Sequence, residues 1–488
     1  MTLRRLAAPW VPAGSRAYCV PGSVVLKLGL GEAPEGVPAR NDVRDGAAEA
    51  ASALDGGAVD RIIRQRAGHA RIARLHTAAA NIGRAGRRHR GYDAAEEVSG
   101  LARTFMLQVE RGTPLGPLCD ALSAVTTVEA ASPNWVCMTP FDVPPHAPAT
   151  READEDGWAT RHMVRAAQAL AYEPGDPALI VAVVDSGISE GHPEFTARIR
   201  AGYDTVQLGA GDVAPGITLL GDRMTPDHDP TDDFVGHGMG CAGIIGALGI
   251  KLPPGLAGEA QILPMRALGA ARLPGRDGAI GLGAIADLDA AVKLAVDLGA
   301  KVLNLSFGTD DALLPPGAPK PHLDVVAYAL ERSCVLVAAS GNNGAETIYW
   351  PAGFPGVIAV GAVALDGGVA PFTTRGAHVA LCAPGESILT TGLSGLQRAT
   401  GTSFAAPFVA GAAALMIARA ARRAVPLDGA TVDRLLRATA RPFTNLAQGC
   451  GAGVLDAVAA LAAVDALVDR LPAGYGAYEP GIDRGDLA

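Results

Sequence analysis

Four polar side chains, each at the end of an apolar run, could do chemistry together. The run LIVAVV, Leu179 to Val184, ends in Asp185, a carboxylate where a buried strand would open into a crevice. His237 lies between glycines in GHGMGCAGI and opens an apolar segment. Ser403 heads GTSFAAPFVAG, and the apolar run continues to Ala418. Asn342 stands in the Gly-rich turn VAASGNNG, next to Asn343. A serine hydroxyl is a weak nucleophile at neutral pH and needs a base within ~3 Å to take its proton. An imidazole supplies that base, and a carboxylate behind it orients the ring and stabilises its charged form. An amide N–H can hold the oxygen that turns negative when an acyl carbon is attacked. Each residue also has a plainer use: Asp185 in an Asx turn, His237 in the core, Ser403 as a helix cap, Asn342 in a turn. The order Asp, His, Ser, each at an element's end, favours acyl transfer.

Such groups need a rigid frame. The chain has 488 residues, 49% hydrophobic and 19% charged, enough for an ample core and more than one domain. A net charge of −9 argues against nucleic acid as the main partner. Seven cysteines, odd in number, read as scattered reduced thiols, and no CxxC or HExxH signals a metal site. The run Phe404 to Ala418 is short for a bilayer and carries Pro407 and Gly411, so it reads as a buried helix, and no membrane partner is expected. Pro9 and Pro12 break the brief apolar patch of the N-terminus, a poor secretory signal, so a cytoplasmic protein is expected.

Two blocks follow from the patterning. The first, residues 21–140, behind a tail at 1–20, reads as a small α+β domain. It has strands at Ser23 to Leu28, Arg103 to Val109 and Val128 to Met138, a helix at Pro117 to Val125, and helical spacing of Ile62, Ile63, Ile72 and Leu75 within about 47–80. Three prolines and the run READED make 141–157 a linker. The second block, 158–466, alternates continuous apolar strands with helices such as Ala284 to Leu298. The strands are Leu179 to Val184, Gln261 to Arg266, Lys301 to Leu305, Cys334 to Ala339 and Val357 to Val363. That is the pattern of an α/β, doubly wound, mostly parallel sheet covered on both faces. Residues 467–488 read as a tail.

The segments VAVVDSGI, GHGMGCAGI, LNLSFG, VAASGNNG, VIAVGAV and GTSFAAPFVAG, in that order over roughly 155–466, resemble the subtilase family of subtilisin-like serine peptidases. The resemblance implies a subtilisin-like fold and a catalytic set of Asp185, His237, Ser403 and Asn342, the last with the Ser403 N–H as oxyanion donors. It implies a peptide or protein substrate that adds as a strand beside Ser306, Phe307 and Gly308, with Ala339, Ser340 and Gly341 walling the pocket before the cut. With Phe307 apolar and no acid nearby, an uncharged residue is expected there. Met239, Gly240, Phe404, Ala406 and Phe408 depart from the family's usual residues at packing positions. Cys241, on the helix face of His237, resembles the cysteine-bearing branch of the family. Many subtilases bind calcium after the histidine helix, but ALGIKLPPGLAGEA lacks the carboxylate and Asn ligands, so no cofactor and no metal are expected; the acidic stretch Gly221 to Phe234 reads as solvated loop.

The edges of the first block resemble a prodomain, implying a self-inhibited precursor in which the chain's own N-terminal domain is the intramolecular inhibitor and self-cleavage falls within 139–157. An unrelated accessory domain is the other reading. GLGAIA, Gly281 to Ala286, fits a loose dinucleotide pattern but follows no evident strand, and the Arg-rich stretch from Arg61 to Arg90 reads as a solvated face. A ligase or macrocyclase that passes its acyl group to an amine would need the same residues, and a dead peptide-binding relative would keep the cleft.

Overall fold

The computed structural model describes residues 18–82, 91–139, 147–149, 155–222, 225–275, 277–445 and 448–471. The first block contains β1 (Cys19–Leu28), α1 (Arg40–Arg44), α2 (Ala58–Ala67), β2 (Arg71–Arg74), α3 (Ala94–Ser99), β3 (Thr104–Gln108), α4 (Leu115–Ser123) and β4 (Val128–Met138). Then come β5 (Ala147–Ala149), α5 (Glu155–Met163), α6 (Ala166–Tyr172), β6 (Ile180–Asp185), β7 (Tyr203–Asp204), β8 (Thr218–Leu220) and α7 (His237–Gly246). They are followed by β9 (Gln261–Arg266), β10 (Gly269–Arg272), β11 (Ile280–Ala284), α8 (Ile285–Asp297), β12 (Val302–Leu305), β13 (Thr309–Asp310) and α9 (Leu323–Glu331). The chain closes with β14 (Val335–Ala339), β15 (Tyr349–Trp350), β16 (Val357–Val363), β17 (Val379–Pro384), β18 (Ile388–Thr391), β19 (Leu396–Ala399), α10 (Thr402–Ala421), α11 (Gly429–Thr439) and α12 (Ala457–Val468).

One sheet has the order β17-β16-β14-β12-β6-β9-β7, and every neighbouring pair in it is parallel. Its central strands are buried on both faces, which is why they read as unbroken apolar runs. The apolar helix α10 has 20 residues, enough to cross a membrane by length and composition, but it is 83% buried and serves as the core helix against β12, β14 and β16. This is the α/β architecture expected from the sequence.

The second sheet joins the two blocks. Its order is β2-β3-β1-β4-β11-β10-β8, so β4 of the first block pairs antiparallel with β11 of the second, Met138 opposite Leu282 and Val136 opposite Ala284. Among the described residues, ion pairs also cross this junction: Lys27–Asp324 and Arg40–Asp287 at 2.7 Å, Glu96–Lys293 and Arg111–Asp212 at 2.8 Å, and Asp93 with Arg332.

Several local expectations need correction. The helical reading of 47–80 holds for α2 only. Gly68, at φ 75°, ends that helix, and the chain then turns into β2, where Ile72 is buried in the sheet. Gly281 to Ala284 is itself a strand, too short and Gly-rich to show a period. The stretch 141–157 is not wholly linker, because β5 pairs with β19 and α5 starts at Glu155. The first strand begins at Cys19, inside the expected tail. Residues 1–17, most of the Arg-rich stretch beyond Ile82, and 472–488 lie outside the described residues.

Candidate active site

Asp185 is the last residue of β6 and is fully buried. Its Oδ1 lies 2.7 Å from His237 Nδ1 and accepts the Ser186 N–H at 2.7 Å. An ionised carboxylate can only accept, so the imidazole proton sits on Nδ1 and the basic lone pair is on Nε2. His237 opens α7 behind Gly236, whose left-handed φ of 73° turns the chain into the helix. Asp185, His237 and Cys241 bring their donor atoms within 4.8 Å of one another. The 2.7 Å contact is nevertheless the length of a shared proton. Two donors on one zinc, each ~2.0–2.1 Å from the metal, stand farther apart than that.

Ser403 lies in the first turn of α10, where the amide dipoles favour negative charge. It is 1% exposed, and its hydroxyl donates to Ser306 O at 3.3 Å. Pro407, four residues on, has no N–H, so the helix leaves the Ser403 carbonyl without its usual donor. Two side chains take that place. The Ser306 hydroxyl donates to Ser403 O at 2.8 Å and the Cys241 thiol at 3.3 Å. Burial, and then the Asp185 charge, hold the Cys241 thiol well above the usual thiol range, so it stays a protonated donor. Cys241 thus bridges the Asp185 and Ser403 sides. The proline was the available signal for an orphaned carbonyl.

The two asparagines of the turn separate clearly. Asn342 Oδ1 accepts the Thr402 N–H at 2.8 Å and the Thr402 hydroxyl at 3.0 Å, which fixes the amide's orientation. Its Nδ2 is buried and, among the described residues, has no hydrogen-bond partner. Asn343 instead serves the turn, accepting from Thr374 Oγ1 at 2.8 Å and Ala345 N–H at 3.0 Å.

Of the expected substrate-binding residues, Phe307 is 2% exposed and packs on the His322 ring at 5.3 Å. Gly308 forms an antiparallel bridge with Met138, so the end of β4 lies between β11 and Gly308 in the manner of a bound peptide strand. Thr139 extends the pairing: its N–H donates to Gly281 O at 2.9 Å and its hydroxyl accepts the Gly281 N–H at 3.0 Å. Ala339 closes β14. Ser340 turns its hydroxyl away to Thr374 O at 3.1 Å, and Gly341 (φ 113°) lies so close to Tyr349 that a Cβ there would come within 2.5 Å of its ring.

The departures from the family pattern compensate one another. A Cβ on Gly240 would fall 2.8 Å from the Phe404 ring, so the larger side chain at 404 fills the space vacated at 240. Phe408 carries the Arg161 guanidinium over its ring at 4.8 Å. In the loop Ala247 to Ala260, the backbone presents N–H groups rather than oxygens to the nearest carboxylate. Glu194, 1% exposed, accepts from Gly249 at 2.8 Å, Ile250 at 3.0 Å and Lys251 at 2.6 Å. Cation sites are built from oxygen ligands. Asp232, in the stretch read as solvated loop, is buried beside the site. All seven cysteines are buried free thiols.

A family model described as the subtilase family matches residues 176–453. A thermophilic serine proteinase of Bacillus sp. (strain AK1) is 36% identical over 244 residues, covering 48% of this chain and 51% of that protein. Subtilisin BL of Lederbergia lenta is 34% identical over 240 residues, again 48% of this chain and 75% of the relative. The chain therefore spans about half the length of the first of these relatives. A solved protease from Pseudoalteromonas arctica PAMC 21717 is 24% identical with a TM-score of 0.53, covering 64% of this chain and 100% of that one, which bears on the fold alone.

Proposed function

The chain belongs to the subtilase family, and on that premise we propose that it is a serine endopeptidase made as a self-inhibited precursor. In this reading His237 Nε2 takes the Ser403 proton as Oγ attacks the scissile carbonyl carbon, and Asp185 steadies the imidazolium. The developing oxyanion is met by Asn342 Nδ2 and the Ser403 N–H. His237 then gives the proton to the leaving amine, and water, activated by the same imidazole, releases the acyl group.

The observation that carries the reading is the 2.7 Å Asp185–His237 bond beside an Asn342 amide whose Nδ2 is held without a partner among the described residues. Self-inhibition is supported by the path of the chain. Met138 and Thr139 pair in the cleft with Leu282, Gly281 and Gly308. Residues 147–149 then pair with β19, the strand that leads into Ser403. The segment expected to contain the self-cleavage site is thus anchored on either side, and its part from 140 to 146 lies outside the described residues. Substrate is a peptide in extended form, taken where β4 now lies.

Mass spectrometry of a test peptide in H2 18O separates the alternatives. Hydrolysis places one 18O in the new carboxyl group. A ligase or macrocyclase gives products without it, and a dead relative gives none.

A further inference from the structure

Behind the Asp185–His237 pair lies a second carboxylate with no part in proton transfer. Asp232 is 3% exposed and has four donors. Its Oδ1 accepts the N–H of Phe234 at 3.0 Å and of Val235 at 2.8 Å, and its Oδ2 accepts the Gly236 N–H and the Ser186 hydroxyl, both at 2.7 Å. Ser186 Oγ in turn accepts the Gly238 N–H at 3.0 Å, and the Ser186 N–H donates to Asp185 Oδ1 at 2.7 Å. The residue after Asp185 and the residue after His237 are therefore joined through one hydroxyl, and one carboxylate fixes the direction of that hydroxyl's proton.

We propose that Asp232, acting through Ser186, is a positioning residue that holds the His237 imidazole against Asp185. The proposal rests on the serine-peptidase reading above. The logic is that of a buried network in which every member is satisfied. Gly236 has no side chain to cap α7, so Asp232 takes the three N–H groups that lead into the helix and Ser186 takes that of Gly238. Without it those donors are buried and unpaired, and the Ser186 hydroxyl is free to turn away from Gly238. Charged or titratable groups around the clamp include Asp185, His237, Cys241 and Arg266, whose side chain would lie 3.1 Å from a Cβ on Gly187 and is itself paired with Asp204. Burial pushes the Asp232 carboxyl up, while Val235, Ser186, Phe234 and Gly236 pull it back down.

The test uses the full chain as wild type, Asp232→Asn, Ser186→Ala, the double variant, and Ser403→Ala as a blank. Two readouts are taken against pH: the rate of fluorophosphonate labelling at Ser403, and the NMR titration of His237 with its Nδ1 proton resonance. Asparagine keeps the shape of Asp232 but replaces one accepting oxygen by an NH2 group. Each single variant is expected to label ~10–100-fold more slowly, the order that small misplacement of a catalytic group costs. The His237 Nδ1 proton resonance should move away from its wild-type position in each single variant, because the ring is no longer held at 2.7 Å from Asp185 Oδ1. The double variant should be no slower than the worse single one, since both act through one clamp. Ser186→Ala leaves the Asp232 amide bonds intact, so it reads the clamp even if Asp232→Asn fails to fold. Wild-type labelling with unchanged variants, or an additive double variant, overturns the clamp and leaves the peptidase reading standing. Absence of label at wild-type Ser403 overturns both.

Discussion

Exchanging Asn342 tests how the cleft holds negative charge. Thr402 fixes the amide by donating twice to Oδ1, at 2.8 and 3.0 Å, and leaves the buried Nδ2 without a partner among the described residues. A buried donor left unpaired costs ~1–3 kcal/mol in the resting protein. That cost is recovered only when an oxyanion arrives, so the group favours the transition state over the ground state. Removing one such donor lowers kcat ~100–1000-fold, or ~2.7–4 kcal/mol. Asn342→Asp keeps the volume and the acceptor for Thr402 but puts an oxygen where Nδ2 stands. Its kcat should fall by at least that factor with KM within ~3-fold, because the donor acts in the transition state. Asn342→Ala should lose the same activity and also stability, since the Thr402 N–H loses its acceptor. Asn343→Ala should loosen the turn held by Thr374 and Ala345 yet leave kcat close to wild type. Steady-state kinetics with a fluorogenic peptide, beside thermal melts, read all three. An Asn342→Asp variant within tenfold of wild-type kcat, or one changed only in KM, would refute the reasoning.

Three further outcomes follow from other parts of the structure. Gly240→Ala forces a Cβ to within 2.8 Å of Phe404 and 2.9 Å of Gln397, so it should destabilise by ~1–3 kcal/mol, and Phe404→Leu should restore most of the loss in the melting midpoint. Glu194→Gln should lower the midpoint by ~2 kcal/mol or more and open 248–253 to proteolysis, whereas EDTA should leave the wild-type midpoint unmoved, because the carboxylate is already filled by three amide donors. The third concerns pH and the junction of the two blocks. Burial, then Lys293 and Arg40, hold His76 well below the ordinary imidazole value; Lys293 is itself paired with Glu96 and Asp297, and the Tyr92 hydroxyl donates to His76 O. The undocked block binds the proton more readily, so docking is full above ~6.5 and weakens by up to ~1.4 kcal/mol for each pH unit below it. Burial raises the carboxyls of Asp287, Asp297 and Asp324, which oppose the trend in more acid solution. Protease accessibility of the first block should therefore rise from pH 7 to pH 5.5 and flatten in His76→Phe; identical profiles would reject the assignment.

The sequence already carried the frame of the large sheet and the positions of the candidate site residues within it. Strands Gln261–Arg266 and Val357–Val363 match their apolar runs to the residue, because strands buried on both faces need no polar alternation. Asp185 ends its strand and His237 and Ser403 stand in the first turns of their helices, as their flanking glycines and small residues suggested. The pairing of β4 with β11 and Gly308 was not legible, since it joins residues more than a hundred positions apart and one partner is a five-residue, Gly-rich strand. The family motif picked Asn342 over Asn343, but the physical reason, that Thr402 holds the Asn342 amide, is a fact of tertiary packing. Asp232 was hidden because a carboxylate in an acidic stretch looks solvated until its neighbours' N–H groups turn towards it.

The most direct measurement is site mapping of a fluorophosphonate adduct by tandem mass spectrometry in wild type, His237→Ala and Ser403→Ala. The account expects one adduct, on Ser403, at least ~1000-fold slower to form without the His237 base, and none without the Ser403 hydroxyl. An adduct that persists in Ser403→Ala, or forms at the wild-type rate without His237, would contradict it.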